Sequence, residues 1–419
     1  MFRIRLGQAC CLVGLLPFTA VASNGLNLIG YGAESVAMGG ADVAVAADTL
    51  ALNTNPAGIA RLGGRALDVH NAVAHALNVS HADSLGNDQS VSNRLVPVAG
   101  MGYVSRPMDS RCAWGVAFFG QGGAGFVYDD VKTVFGSVDE MSSLVRIGRL
   151  SPGVACETGG GLYLGAALAV SRADIRQKVF PSTSTGLFSG MDLKGAKGWG
   201  TTVKLGMLAT VSKTLTLGVS FTPKVELPLR DGRLISNQTA TGLGLVTYRD
   251  VKIDGLALPT ELSIGAAWRP NDDWLLSAEL SWLDWSAAAT RSTLTARKPD
   301  NATASDIKLM STLGWRDQMV LALGAAWNLK ARTVLYAGLN LARNPIPSSH
   351  LTPILAPIGE RHWTVGFKRA LGSEWSLTFA TEYQVRNTVT YTNPEFPLGL
   401  DATARNECVA MHVVLGRRW

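Results

Sequence analysis

Only a few groupings in this sequence have residue types and spacings that could carry chemistry. Gly120-Gln121-Gly122-Gly123-Ala124-Gly125 has the spacing of a phosphate loop, in which backbone N–H groups and a helix N-terminus meet the anion. No helical pattern follows it in Phe126 to Asp130, and no strand–helix–strand unit surrounds it, which excludes a nucleotide site. His70, His75 and His81 cluster in sequence as metal ligands do. His70 and His75 stand an odd step apart and face opposite sides of a strand, so no metal site is expected. Neither HExxH nor GxSxG occurs, so there is no zinc-protease helix or nucleophile elbow. The protein is expected to be no enzyme and to hold no cofactor. Lys204 and Lys368 remain as the cations that a carboxylate-bearing ligand would seek.

The N-terminus points to the compartment. Arg3 and Arg5 precede an apolar stretch from Ala9 to Ala22, and Ala20-Val21-Ala22 offers a small-x-small cleavage site. That is the order of parts in a secretory signal peptide, here residues 1–22. Cys10 and Cys11 open the apolar stretch rather than sit at the cleavage point, which excludes a lipid anchor. Cleavage removes two bases and no acid, lowering the formal net charge from +6 to +4. With no run of five like charges, nucleic acid is excluded as a partner. The mature chain keeps Cys112, Cys156 and Cys408. Export permits a disulfide, and an odd count leaves a free thiol.

The elements that position these residues follow from an imbalance. Hydrophobic residues make up 47% of the chain and charged residues 17%. Yet beyond the N-terminus the longest uncharged stretch, Cys112 to Tyr128, is broken by Gln121 and five glycines. No helix could cross a membrane there. Instead, alternate residues are apolar. Trp274, Leu276, Ala278, Leu280 and Trp282 share one side, and Ser277, Glu279 and Ser281 the other. Val409, Met411, Val413, Leu415 and Trp419 oppose Ala410, His412, Gly416 and Arg418. A period of two marks strands.

Fourteen such segments are expected: 66–78, 94–105, 112–120, 144–156, 160–171, 200–211, 215–226, 257–269, 274–287, 315–328, 333–343, 361–370, 375–387 and 406–419. Short turns such as Asn271-Asp272-Asp273, Lys330-Ala331-Arg332 and Gly372-Ser373-Glu374 alternate with long connections, among them 121–142, 173–198 and 229–254. The apolar faces end in aromatics, including Trp268, Trp274, Trp327, Trp363, Trp375, Tyr383 and Trp419. Short turns on one side, long loops on the other and aromatic girdles describe an outer-membrane barrel. Lipid offers no partner to an open sheet edge, so the barrel must close. A soluble β-sandwich would alternate too, with less regular loops and no girdles. The expectation is an all-β, fourteen-stranded antiparallel transmembrane barrel over 65–419. Residues 23–64 are small and apolar without alternation, as in Ala37-Met38-Gly39-Gly40-Ala41-Asp42. They suit a luminal plug better than a periplasmic tail.

At this level of detail the sequence resembles the FadL/TodX family of outer-membrane transporters for hydrophobic compounds. The resemblance is carried by Gly25-Leu-Asn-Leu-Ile-Gly-Tyr-Gly-Ala-Glu-Ser-Val-Ala-Met-Gly-Gly-Ala leading to Asn55-Pro56-Ala57-Gly58. It continues through Leu258-Pro-Thr-Glu-Leu-Ser-Ile-Gly-Ala-Ala-Trp268, Gly314-Trp315-Arg316-Asp317, Asn344-Pro-Ile-Pro347 and Arg361-His362-Trp363. The last residue, Trp419, departs from the family's usual Phe and is expected to be tolerated by the assembly machinery. The resemblance implies passive uptake of hydrophobic small molecules such as fatty acids or hydrocarbons. It also implies a hatch at the N-terminus with Asn55, Pro56 and Ala57 in its gating element. Ligand would leave sideways into outer-membrane lipid through a kink in the third strand. Gly115 is the expected bend, although a strand glycine also serves packing. A sideways exit suits such ligands, because each CH₂ taken out of water gains about 0.8 kcal/mol, which an aqueous exit would have to return.

Two groups of side chains are the ligand candidates. Phe126, Tyr128, Val134 and Phe135 in one long connection, with Phe180, Leu187 and Phe188 in the next, are apolar where loops are usually polar. They either form a capture groove or pack together over the barrel mouth. The alternation places Lys204, Glu261, Glu279, Lys368 and His412 inward, where Lys204 and Lys368 either meet a ligand carboxylate or join wall-to-hatch ion pairs. Cys112 and Cys156 fall at the short-turn ends of neighbouring strands, as a disulfide or as two thiols. The chain is expected to act as a monomer. A nonspecific porin, an adhesive surface barrel and an outer-membrane lipase are the alternatives. The plug opposes the first, and no Ser/His/Asp set supports the last.

Overall fold

The computed structural model describes residues 24–329 and 332–419. The signal peptide and Lys330-Ala331 of one expected turn lie outside the described residues. Fourteen strands form the wall: β1 (Arg65–Ala76), β2 (Leu95–Ser105), β3 (Cys112–Lys132), β4 (Val138–Gly159), β5 (Leu162–Ser184), β6 (Ser189–Thr210) and β7 (Leu215–Thr222), then β8 (Glu261–Trp268), β9 (Trp274–Leu283), β10 (Gln318–Leu329), β11 (Thr333–Ala342), β12 (Arg361–Leu371), β13 (Trp375–Tyr391) and β14 (Ala402–Arg418). Each pairs antiparallel with the next, and β14 returns to β1 from Ala66↔Arg418 to Ala76↔Cys408, closing the barrel. Among the described residues, no helix is long and apolar enough to cross a membrane.

Alternation explains the wall. In β9, Leu276 and Leu280 are exposed outward while Ser277 and Ser281 are buried inward. At one end of the outer face, Trp274 and Trp327 stack with centroids 5.6 Å apart, and the Arg417 guanidinium lies 5.3 Å from Trp375 and 4.8 Å from Trp419. Indole rings there face apolar tails while their polar edges and the guanidinium meet headgroups.

Strands β3 to β6 run well beyond the alternating segments. The expected connections 121–142 and 173–198 are mostly strand, standing above the lipid as two tall hairpins. Outside the hydrocarbon, neither side of a strand must be apolar, so the period-two contrast fades although the backbone ladder continues. The expected connection 229–254 is likewise a hairpin, Leu229–Gln238 with Gly244–Asp254, joined on one side to β6 and on the other to Arg291–Pro299.

Residues 24–64 lie inside the barrel. They form two helical turns, α1 (Ala33–Ala37) and α2 (Ala51–Thr54), and a 3-10 segment, Pro56–Arg61. The small residues of the wall exist for this contact. A Cβ at Gly153 would meet Leu52, one at Gly265 would meet Val43, and one at Gly324 would meet Met38. Plug side chains thus reach the backbone of the wall.

Candidate functional site

The extracellular half of the lumen is apolar. Tyr128, Phe126, Phe180, Ile147, Leu227, Leu234, Tyr248 and Trp285 belong to one buried cluster that reaches down to Leu26 at the start of the plug. Segments 223–228 and 255–260 leave the wall to enter this cluster, burying Val225, Leu227, Ala257 and Leu258. Glycines in β6 leave room for them, since a Cβ at Gly200 would collide with the Glu226 carbonyl. Trp285 is fully buried, its ring 5.0 Å from Trp315 and pressed on Gly25.

Of the expected groove residues, Phe126, Tyr128 and Phe180 are in this packed mouth rather than on a free surface. Phe135 and Phe188 stack at the hairpin tips with centroids 4.7 Å apart, flanked by exposed Val134 and Leu187. Phe180 lies 6.2 Å from Phe188 and 6.5 Å from Phe396. Aromatic rings therefore lead from the tips into the cluster. The mouth is also pinned by His81, whose Nε2 lies 3.2 Å from Asp83 and whose Nδ1 lies 3.2 Å from the Tyr391 hydroxyl. Burial lowers the His81 pKa despite the carboxylate beside it.

The wall is interrupted at one side of the plug. β2 and β3 pair only from Gly100↔Phe119 to Ser105↔Trp114. Above that, contact resumes where Asn93 Nδ2 donates to the Gly125 carbonyl (3.1 Å) and Ser92 N to the Val127 carbonyl (2.9 Å). Between lie residues 94–99 and 120–124, with no ladder across them and Pro97 on the open edge. Opposite the gap, β3 shifts register against β4 between Gly120 and Gly122, the mark of a β-bulge. The plug clasps this bulge: Gly123 N donates to the Leu26 carbonyl (2.9 Å), and Asn27 bridges Gly122. Gln121 turns inward to donate to the Tyr31 hydroxyl (2.6 Å) and accept from Asn53 Nδ2 (2.8 Å).

Gly115 is not the bend. It pairs regularly with Val104 and Gly153, and a Cβ there would crowd Tyr103, Val104 and Leu52. Its role is packing against neighbouring strand and plug. The bend falls at the glycine cluster that resembled a phosphate loop. Its signal was in the sequence, since repeated glycines inside a strand mark a bulge or close backbone approach.

Asn55 is fully buried. Its Nδ2 donates to the Val43 carbonyl (2.7 Å) and to the Met207 carbonyl of β6 (3.0 Å), while its Oδ1 caps the 3-10 segment by accepting from Ala57 N (3.1 Å). Pro56, at the first position of that segment, has no N–H to leave unpaired.

The luminal cations are already paired. Lys368 Nζ lies 2.8 Å from Glu34 of the plug. Lys204 Nζ donates to Thr222 Oγ1 (3.1 Å) and lies 3.5 Å from Glu261. A ligand carboxylate would have to displace these acids. Glu279 accepts from Asp42 N (3.0 Å) and Val43 N (2.8 Å), a second wall-to-plug fastening. Burial, with the Glu279 carboxylate nearby, pushes the Asp42 carboxyl well above the usual carboxylate range. His412 lies 3.2 Å from His70 and 3.5 Å from Glu382, which also meets His362 at 2.7 Å.

Cys112 and Cys156, register partners on β3 and β4, form a disulfide with Cα atoms 4.0 Å apart, and Cys408 is a buried free thiol. Alkylation of the unreduced mature protein is expected to modify no cysteine in the folded barrel and one, Cys408, after unfolding. Three modified cysteines by mass spectrometry would mean that the bond does not form.

Solved structures share this fold. The toluene transporter TbuX of Ralstonia pickettii superposes with a TM-score of 0.75 at 19% identity, covering 94% of this chain and 99% of its own. The toluene transporter TodX of Pseudomonas putida gives 0.78 at 17%, covering 94% and 100%. A FadL homologue of Pseudomonas aeruginosa gives 0.69 at 14%, covering 94% and 98%. At these identities the likeness is one of fold. No curated protein sequence matches the chain at a significant level. The profile described as outer membrane protein transport protein (OMPP1/FadL/TodX) matches residues 19–415. This closed barrel with its luminal plug therefore belongs to the OMPP1/FadL/TodX family of outer-membrane transport proteins.

Proposed function

We propose that the protein takes hydrophobic small molecules from outside the cell, passes them through the apolar upper lumen and releases them sideways into outer-membrane lipid between β2 and β3. The observation that carries this reading is a coincidence of three features at one place. The unpaired wall of 94–99 and 120–124, the β3 bulge and the plug's Leu26–Asn27 clasp all meet at the foot of the apolar cluster. A ligand on this route leaves water once, at the tips, and does not meet it again. The fastened plug stands below the route and closes the way to the periplasm, which disfavours a nonspecific porin. Phe135 and Phe188 collect ligand, Phe180 hands it to the cluster, and movement of the Asn55-Pro56-Ala57 element governs release. One chain suffices, since its barrel closes on itself, and the assembly machinery would insert it as such.

Capture is tested at the tips. Phe135→Ser with Phe188→Ser is expected to raise the apparent KM for toluene uptake several-fold with little change in maximal rate, because the pair lies before any constriction. Initial rates in proteoliposomes across a concentration series measure this. Unchanged KM would remove the tips from the route.

A further inference from the structure

Beneath the apolar cluster, between plug and wall, lies a cavity of about 50 Å³. A buried water needs about 10–15 Å³ on this scale, so the space suits a small polar head rather than a whole ligand. Its upper side carries Leu283 and Val320, which belong to the apolar cluster that holds Leu26 and Trp285. Its polar side carries the carboxyl groups of Asp42, Glu261 and Glu279.

The side-chain hydrogen bonds around the cavity leave acceptors unfilled. Asn340 Nδ2 donates to the Gly39 carbonyl (3.0 Å), which fixes the amide's orientation, and its Oδ1 has no partner although the residue is 1% exposed. Asn24 Oδ1, on the plug, is also buried without a partner. Both residues line the cavity. Three of the neighbouring donors are engaged. Asn53 Nδ2 donates to Gln121, the Tyr31 hydroxyl to the Gln121 carbonyl, and Ser281 to Glu279. The nearby cations are engaged as well, Lys204 with Glu261 and Thr222, Arg149 with Asn53 and Ser171. An unfilled buried acceptor costs free energy that a ligand's N–H or O–H would recover. A carboxylate would add negative charge beside the half-buried Glu261 and Glu279 and bring no donor to the unfilled acceptors.

We infer that this cavity holds the head of a hydrophobic molecule bearing a hydrogen-bond donor, such as an alcohol, phenol or amine, and disfavours carboxylates. This rests on the uptake route proposed above and narrows its substrate class. Asn24 and Asn340 are the residues that set the preference.

The test is equilibrium binding of toluene, benzyl alcohol and benzoate to the full mature chain in nanodiscs, measured against empty nanodiscs. Benzyl alcohol is expected to bind about fivefold tighter than toluene, its single O–H filling one of the two acceptors, and benzoate more weakly than either. At least one of Asn24→Ala and Asn340→Leu should reduce the ratio of benzyl alcohol to toluene affinity several-fold. Asn24 is included because Asn340 also fastens the plug. Benzoate binding as tightly as benzyl alcohol, or a preference surviving in both variants, overturns the inference. Toluene uptake by proteoliposomes made from the same protein distinguishes this from failure of the route. Uptake that needs the β3 bulge without any alcohol preference sinks the inference alone, and uptake indifferent to the bulge sinks the route.

Discussion

Gly123→Val is expected to reduce uptake of hydrophobic molecules at least tenfold while leaving a folded, heat-modifiable barrel. Gly123 has φ 141°, a conformation that L side chains rarely adopt, and a Cβ there would run into the Val145 carbonyl. A β-branched residue cannot hold it without strain of about 1–3 kcal/mol. The strand relieves that strain by moving toward ordinary extended geometry, which resolves the bulge and lets residues 120–124 approach 94–99. The hydrogen bond from Gly123 N to the Leu26 carbonyl is lost in the same movement. Both consequences close the gap in the wall. The readout is the initial rate of toluene uptake into proteoliposomes, with the heat-dependent shift in electrophoretic mobility reporting folding. A folded variant that takes up toluene at the wild-type rate would rule out the sideways exit.

The second large effect is expected from Asn55→Ala. One buried amide makes three hydrogen bonds, to Val43, Met207 and Ala57. Its removal leaves two carbonyls and an N–H unsatisfied away from water, at about 1 kcal/mol each, so plug docking weakens by about 3 kcal/mol. Wall hydrogen bonds are untouched, and the barrel stays closed. Amide exchange over residues 33–61 should accelerate roughly a hundredfold, the equivalent of that free energy, while exchange in β9 to β14 stays as it was. Equal acceleration in plug and wall would mean that the two unfold as a unit, and no acceleration would mean that the remaining contacts hold the plug. Those contacts include Glu279 to Asp42 and Val43, Lys368 to Glu34, and Asp68 accepting from Thr49 N and Thr49 Oγ1 (3.0 and 2.8 Å).

The wall was readable from the chain because lipid imposes a strict rule on it. Every second residue of Trp274 to Trp282 must be apolar, and the girdle tryptophans must sit at the ends, so strand number and closure follow from pattern alone. Where the rule lapses, so does the reading. The upper halves of β3 to β6 and the hairpin Leu229–Gln238 with Gly244–Asp254 face protein or water on both sides and carry no contrast to detect. Inward orientation of Lys204 and Lys368 was legible. Their partners Glu261 and Glu34 lie 57 and 334 residues away in sequence, and no local pattern connects them.

The imbalance of an apolar chain without helical spans was settled by periodicity, which determined a closed outer-membrane barrel, while the signal peptide determined export. Alternation is a local property, two residues long, so one sequence suffices to show it. Which glycine bends β3, which loop aromatics are buried and which reach the tips, and where unfilled acceptors gather beneath the apolar cluster depend on contacts between segments as distant as Leu26 with Gly123 and Gly39 with Asn340. Hydrogen bonds of that kind form only once the chain has closed around its own N-terminus. The tertiary structure therefore decided the position of the bulge in β3, the plug's fastenings and where the unfilled acceptors lie.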